Sequence, residues 1–457
     1  MVIVEKSLKT QVNAITEGVI WKQILLFFFP ILFGTFFQQL YNTVDAIIVG
    51  QYLGKAALAA VGGGTGTAIN LLIGFFIGVS SGSAVVISQY YGARENAKTT
   101  DSINTSILLS IYAGLGITVL GMIFTEPLLE LIGTPDDIMP LAVRYMRIIF
   151  AGSIFNTVFN MGSGIMRALG DSKRPLYFLV AGVVVNIILD YLFVGVIGMN
   201  VEGAAYATII SQFVSALLTI ISMMRNRECP LTFKSFKMNG KLTRKMMAIG
   251  LPTGFQSILY TISNLIIQAH INGFGTDTAA AWAAFGKLDA FYWTGINAFG
   301  IAATTFVGQN FGAGKLKRVR KGIRDSVFMS VIMTVLIQIF FLTFGETALN
   351  MFTTDTTVIA IGMKILTLIA PYWITYLPIE ILSGSLRGCG KTIIPTAIVV
   401  FGICVIRVVW LAIVPSISLE SVADRWNDCK PYDSDHADSE YYDCCRYDCL
   451  AASSERT

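Results

Sequence analysis

The stretch from Pro30 to Gly50, PILFGTFFQQLYNTVDAIIVG, places polar side chains inside an apolar run that begins near Ile24 and is long enough to cross a bilayer. Asn42 and Asp45 are among these polar residues. A carboxylate at membrane depth costs about 3 kcal/mol on insertion scales, so it is retained where it faces a cavity, a partner or a translocated ion. This favours an ion- or substrate-binding role for Asp45. The alternative is a carboxylate at the outer end of its helix that reaches water by snorkelling.

The composition indicates a membrane protein built from many helices. Hydrophobic residues make up 54% of the chain, charged residues 14%, and the mean hydropathy is +0.65, whereas soluble domains carry about 25% charged residues. A net charge of +4 is too small to imply nucleic acid as a partner. We therefore predict an all-α polytopic membrane protein in the lipid bilayer. Its eleven apolar runs lie near 24–50, 57–90, 102–125, 138–166, 175–197, 203–224, 246–272, 278–309, 323–345, 357–386 and 394–414.

Basic residues alternate between the two ends of these predicted helices. Six loops on one side carry Lys and Arg, with the densest groups at 225–245 and 315–324, while the opposite loops have only Lys55. The positive-inside rule then predicts a cytoplasmic N-terminus in the inner or plasma membrane of the cell. Cys229, in the long basic linker, should react with thiol reagents only from the cytoplasm.

The chain repeats its landmarks at a spacing of 220 residues. The segment GIMRALGDSKRP from Gly164 is matched by GSLRGCGKTIIP from Gly384, and SQYYGA from Ser88 by GQNFGA from Gly308. Six crossings separate the copies, so we predict a parallel repeat about an axis along the membrane normal, an arrangement found in secondary transporters. The predicted parts are a first lobe at 1–225, a linker at 226–245, a second lobe at 246–415 and a tail at 416–457.

The tail breaks the repeat. The helix at 203–224 should recur at 423–444, but these residues read ADRWNDCKPYDSDHADSEYYDC, which is too polar to cross a bilayer. We therefore expect eleven helices, with the last helix of the second lobe missing. The acidic, cysteine-containing tail is expected to be disordered or to come from an altered reading frame.

The motifs together resemble the multidrug and toxic compound extrusion (MATE) family of cation-coupled antiporters. The pattern P-x-x-x-G-x-x-x-Q-x-x-Y-N-x-x-D on helix one, Q-x-x-G-A after helices two and eight, and G-x-x-R-x-x-G-D after helix four carry the resemblance, which covers about residues 15–415. It implies a V-shaped pair of six-helix lobes that exports organic, often cationic and amphipathic compounds in exchange for Na⁺ or H⁺. We expect no cofactor, no enzymatic activity and a monomer.

In several members of this family a first-lobe site combines an Asp on helix one with an Asn and an Asp on helix five, plus polar groups on helices four and six. The matching residues are Asp45, Asn186 and Asp190, the last two placed at i, i+4 on one helix face. Two neighbouring carboxylates in low dielectric cannot both stay bare, so one must take a proton or share a cation. Asn160 and its neighbour Asn156, with Thr208, are further candidates; ordinary interhelical hydrogen bonding is their alternative role.

Further polar residues could contribute to substrate binding or to a second-lobe site. They are Asn42, Gln256, Asn264, Asp289 and Glu380. For the two acids the alternative is a structural ion pair, with Arg407 or Lys287 as the expected partner. A flippase for a lipid-linked precursor remains an alternative function, but it should show a cationic cavity. A membrane enzyme or receptor is disfavoured by the lack of a nucleophile or Cys/His metal pattern in the membrane part.

Overall fold

The computed structural model describes residues 14–62, 64–226, 229–231, 237–411 and 413. Within these ranges the regular structure is entirely helical, which confirms the predicted all-α class. The described residues up to Arg407 form one compact unit, and a second unit begins at Val408. The tail predicted at 416–457, including the predicted absence of a helix at 423–444, lies outside the described residues.

The described residues of the first half form seven helices. After a short 3₁₀ turn at Ala14–Thr16, they are α1 (Ile20–Gly62), α2 (Gly64–Gly92), α3 (Asn96–Leu131), α4 (Met139–Ala151), α5 (Ser153–Ala168), α6 (Lys173–Asp190) and α7 (Val201–Met224). A π-helical turn at Tyr191–Val196 extends α6.

The second half forms α8 (Gly240–Asn272), α9 (Thr276–Gly312), α10 (Leu316–Asn350), α11 (Thr356–Ile369), α12 (Trp373–Gly388) and α13 (Ile393–Val399). A 3₁₀ turn at Ala370–Tyr372 joins α11 to α12, and a π-helical turn at Val400–Val405 follows α13. Each of the eleven predicted apolar runs therefore overlaps a helix.

Among the described residues, eight helices are long and apolar enough to cross a membrane, or nine when the bent pair α4–α5 counts as one span. This shows a multi-pass membrane protein. Two predicted spans, 246–272 and 278–309, lie on helices α8 and α9 of 33 and 37 residues but fall outside that group. Their polar and charged side chains, among them Gln256, Asn264 and Asp289, lower their apolar character.

Two helical segments contain breaks that the sequence pattern does not predict. Gly54 has φ 82° and ψ −171° inside α1, so the helix changes direction before its last turns. The run 138–166 divides into α4 and α5, which meet at Gly152 with a bend of 50°. Gly152 packs so closely on Ile209 that a Cβ there would overlap the Ile209 side chain.

Helix α1 connects the cores of the two halves. Its first turns pack in the second-half core, where the rings of Phe28 and Phe299 stack with centroids 4.0 Å apart. Further along α1, Val49 is fully buried in a first-half cluster that includes Tyr145 and Ala204. A movement of one half against the other must therefore act on α1.

The sequence analysis expected Cys229 in the linker to be accessible, but its side chain is buried. Cys229 is only 2% exposed and packs in a cluster with Ile103 and Met223. Cys229 is therefore a poor reporter for thiol labelling in this conformation, and its expected reaction from the cytoplasm stays a prediction.

Candidate functional site

Asp45 and Asp190 lie together inside the first half. Asp45 is on α1 with 7% exposure, and Asp190, the last residue of α6, is fully buried. The chain passes from α-helix to a π-helical turn directly after Asp190. Such turns are rare in proteins overall, but those that occur are often found at functional sites. The extra residue changes the direction of the side chains around it.

The two carboxyl groups lie within hydrogen-bonding reach of each other. Without a proton between them neither can donate, and Oδ1 of Asp45 and both carboxyl oxygens of Asp190 are buried without a donor among the described residues. Two bare carboxylates in this position would repel each other in a medium of low dielectric. The pair therefore requires a shared proton or a bound cation.

Asn186 lies one helical turn before Asp190, on the same face of α6. Its side chain is fully buried and adjacent to the Asp190 carboxyl group, and neither its Oδ1 nor its Nδ2 makes a hydrogen bond of regular geometry to a described residue. Asn186 thus lies directly beside the carboxyl pair, and its predicted part in ion binding stays a prediction.

Two tyrosines that the sequence analysis did not select complete the cluster. The Tyr41 hydroxyl donates to Oγ1 of Thr208 on α7 at 3.0 Å, and Tyr41 also lies close to Asp45 and Asp190. Tyr145, 6% exposed on α4, is near the same two acids. The i, i+4 spacing of Tyr41 and Asp45 on α1 could have predicted that the two side chains lie on the same helix face. Tyr145 lies on a different helix, α4, and no sequence spacing links it to either acid.

The structure places the asparagines of α5 in a different surrounding. Asn160 Nδ2 donates to the backbone oxygen and to Oδ1 of Asn156, at 2.9 and 2.8 Å. Both residues line a cavity with Ser110 and Thr157, and the residues around that cavity do not include the carboxyl pair. Their predicted part in ion coupling is untested, and the bonds fit ordinary helix stabilisation.

In the second half, the two candidate acids have separate partners. Asp289 Oδ2 accepts from Trp293 Nε1 at 2.7 Å, and Glu380 Oε1 accepts from Arg387 at 3.1 Å. The Tyr376 hydroxyl donates to the other Glu380 oxygen at 3.3 Å. Glu380 is therefore in an ion pair as the alternative held, but its partner is Arg387 and not Arg407 or Lys287, whereas Arg407 is close enough to act electrostatically on Asp289. Arg387 lies two turns after Glu380 on the same face of α12, so its side chain can contact the Glu380 carboxylate.

The remaining candidates are spread over α1 and α8. Asn264 Oδ1 accepts from Arg407 at 3.1 Å, and Gln256 Oε1 accepts from Thr396 Oγ1 at 3.4 Å. Asn42 is exposed on α1, three residues before the buried Asp45. These residues do not join the carboxyl pair in one cluster.

The donor set around Asp45 and Asp190 suits a small hard cation or a proton. It consists of carboxyl, amide and hydroxyl oxygens, which are the ligands that hard cations prefer. Among the described residues no group of three His, Cys, Asp or Glu side chains is placed to hold a metal ion. The donor chemistry of this cluster therefore suits one positive charge, as buried acids in membrane transporters do.

The sequence model of the MatE family matches this chain twice, over residues 30–192 and 252–413. The chain belongs to this family, whose proteins are transporters and not enzymes. The two matches also agree with the internal repeat read from the sequence.

Curated relatives extend over most of the chain. The "Probable multidrug resistance protein YoeA" of Bacillus subtilis (strain 168) is 29% identical over 393 residues, which cover 84% of each chain. The "Multidrug export protein MepA" of Staphylococcus aureus (strain MRSA252) is 25% identical and covers 86% of this chain and 87% of its own.

Solved structures share the fold. A MOP superfamily transporter from Pyrococcus furiosus superposes with a TM-score of 0.82 at 23% identity, covering 88% of this chain and 90% of that one. A structure described as the outward-facing conformation of a multidrug resistance MATE family transporter gives 0.82 at 22% identity with the same coverage.

Proposed function

We propose that this protein is a secondary antiporter that exports organic, cationic and amphipathic compounds across the cell membrane in exchange for Na⁺ or H⁺. The observation that carries the proposal is the buried carboxyl pair Asp45–Asp190, which cannot keep two bare negative charges. Export of drug-like compounds is supported by the relatives, which are named for multidrug resistance and multidrug export.

The pair can couple two fluxes because it holds one positive charge at a time. When a proton or Na⁺ sits between the carboxyl groups, it lowers the net charge of the pair from −2 to −1 and so weakens the attraction for an organic cation. When that ion leaves, the exposed negative charge attracts the cationic substrate and is costly to bury without it. Exchange of one cation for the other is therefore favoured over leaving the site empty.

Alternating access would expose this pair first to one side of the membrane and then to the other. The basic loops support a cytoplasmic N-terminus by the positive-inside rule. One neighbour of the same fold is described in an outward-facing conformation. We infer that the chain works as a monomer in the cell membrane, with α1 connecting the halves as they move.

A flippase for lipid-linked precursors is the less favoured alternative. A phosphate-bearing headgroup would be expected to meet clustered Arg or Lys side chains in the binding region. The first-half cluster instead contains two carboxyl groups, an amide and hydroxyl groups. Its chemistry attracts cations and repels a phosphate.

A dye-efflux assay in cells that lack their own pumps tests the proposal. We expect Asp45→Asn and Asp190→Asn each to abolish efflux driven by an ion gradient, because the neutral amide removes the repulsion between two carboxylates that makes the pair take up a cation. Asp277→Asn, at an exposed acid near the start of α9, is the control and should transport at the wild-type rate. Wild-type efflux by either carboxyl variant at equal expression would overturn the proposal.

A further inference from the structure

Two glutamines related by the internal repeat join the halves of the protein. Gln89, near the end of α2, donates through Nε2 to the carbonyl oxygen of Gly388 at 2.9 Å. Gln309, near the end of α9, donates through Nε2 to the carbonyl oxygen of Ala168 at 2.7 Å. The donors are 220 residues apart, and so are the acceptors. The two hydrogen bonds are therefore equivalent under the repeat, and each runs from one half to the other.

The backbones of the same two motifs touch each other. A Cβ added at Gly92 would overlap the carbonyl group of Gln309, and a Cβ added at Gly312 would overlap that of Gln89. Such contact is possible only for glycine, which explains why Q-x-x-G recurs after both helices. The motif is thus complementary to its own copy.

The carbonyl acceptors belong to helix ends. Ala168 is the last residue of α5 and Gly388 that of α12, and the last carbonyls of a helix have no partner within it. The chain turns away at Gly170 and Gly390, with φ 94° and 83°, next to Gln309 and Gln89 respectively. Each glutamine therefore donates to a helix-end carbonyl of the other half, which has no partner within its own helix.

We propose that Gln89 and Gln309 form a symmetric clasp that closes the basic end of the protein and opens when the site turns to the cytoplasm. The inference rests on the proposed alternating access. Both bonds cross the same boundary, so separation of the halves at this end breaks both. Each is a bond between neutral groups, so it contributes a moderate stabilisation that transport can reverse. The buried Oε1 of Gln309 has no described hydrogen-bond partner, so separation of the halves breaks no hydrogen bond to this atom.

Thiol labelling at Ser88 measures opening directly. Ser88 is 1% exposed and lies against Gly308 across the boundary, so Ser88→Cys should react only when the halves separate. In a chain without its native cysteines, we expect Gln89→Met or Gln309→Met to raise the rate of alkylation by N-ethylmaleimide about fivefold. The double variant should raise it about twenty-five-fold if the two bonds act independently.

Gln338→Met is the matched control. Gln338 also donates to a backbone carbonyl, that of Ala370 at 2.6 Å, but both residues belong to the second half. Its variant should label at the parent rate. Equal labelling rates in the double variant and the parent would overturn the clasp, as would an equal increase in the control.

A second measurement covers the case in which Ser88→Cys disturbs packing. Spin labels at the exposed, repeat-related positions Ala97 and Lys317 report the distance between the halves at this end. The double variant should gain a longer-distance population that the control lacks, and unchanged distances would refute the clasp. Neither readout needs substrate or a coupling ion, so failure of the clasp is separable from failure of the proposed antiport.

Discussion

The Tyr41 hydroxyl donates a hydrogen bond to Oγ1 of Thr208 at 3.0 Å and thereby joins α1 to α7 beside the carboxyl pair. The Thr208 side chain is 5% exposed, so water cannot readily replace this bond. The contact fixes the segment of α1 that carries Asp45, which lies one turn after Tyr41.

We expect Tyr41→Phe to lower the free energy of unfolding by about 1 kcal/mol, because it removes a buried hydrogen bond between neutral groups. Thr208→Val should cost a similar amount, and the double variant little more than either one. Chemical unfolding of the purified proteins in detergent gives this double-mutant cycle. Strictly additive losses would show that the two side chains do not stabilise each other.

The Glu380–Arg387 ion pair predicts an asymmetric response to mutation. The side chains are 14% and 18% exposed, so Arg387→Gln leaves a poorly solvated carboxylate and should destabilise the protein by about 3 kcal/mol. Glu380→Gln combined with Arg387→Gln should recover most of that loss. If instead Glu380→Gln alone abolishes ion-driven efflux while stability is kept, Glu380 acts in coupling and not as a structural partner.

Helices α2 and α8 approach each other at glycines. A Cβ at Gly82 would lie 2.6 Å from the backbone nitrogen of Gly250, whereas a Cβ at Gly66, on the same helix, meets no described atom within 4 Å. Gly82→Ala should therefore destabilise the protein by about 1–3 kcal/mol through overpacking. Gly66→Ala, the matched control, should be neutral or stabilising by helix propensity. Equal melting temperatures for both variants would contradict this packing.

The orientation can be tested with introduced cysteines, since Cys229 is buried. In a chain without native cysteines, Lys241→Cys at the start of α8 should react with an impermeant maleimide only after the cells are permeabilised. Asp277→Cys, near the start of α9, should react in intact cells. The opposite pattern would reverse the predicted topology.

The sequence predicted the helices and the carboxyl pair well, for a physical reason. Apolar runs of bilayer length show where helices lie, and an acid inside such a run is costly enough to be informative. Tyr145 was missed because it lies on another helix, α4, at no regular spacing from either acid. The partner of Glu380 was mistaken because side-chain reach along one helix face depends on rotamers and packing. The lobe boundaries remain predictions, and the start of α1 packs in the second-half core.

The most direct test is to count the cations that leave the protein when an organic cation binds. In purified protein, the account expects wild type to release about one proton or one Na⁺ per bound substrate, because the pair holds one positive charge at a time. Asp45→Asn and Asp190→Asn should release none, and Asp277→Asn should match wild type. Release of the same number of cations by the carboxyl variants would contradict the claim that this pair couples ion flow to export.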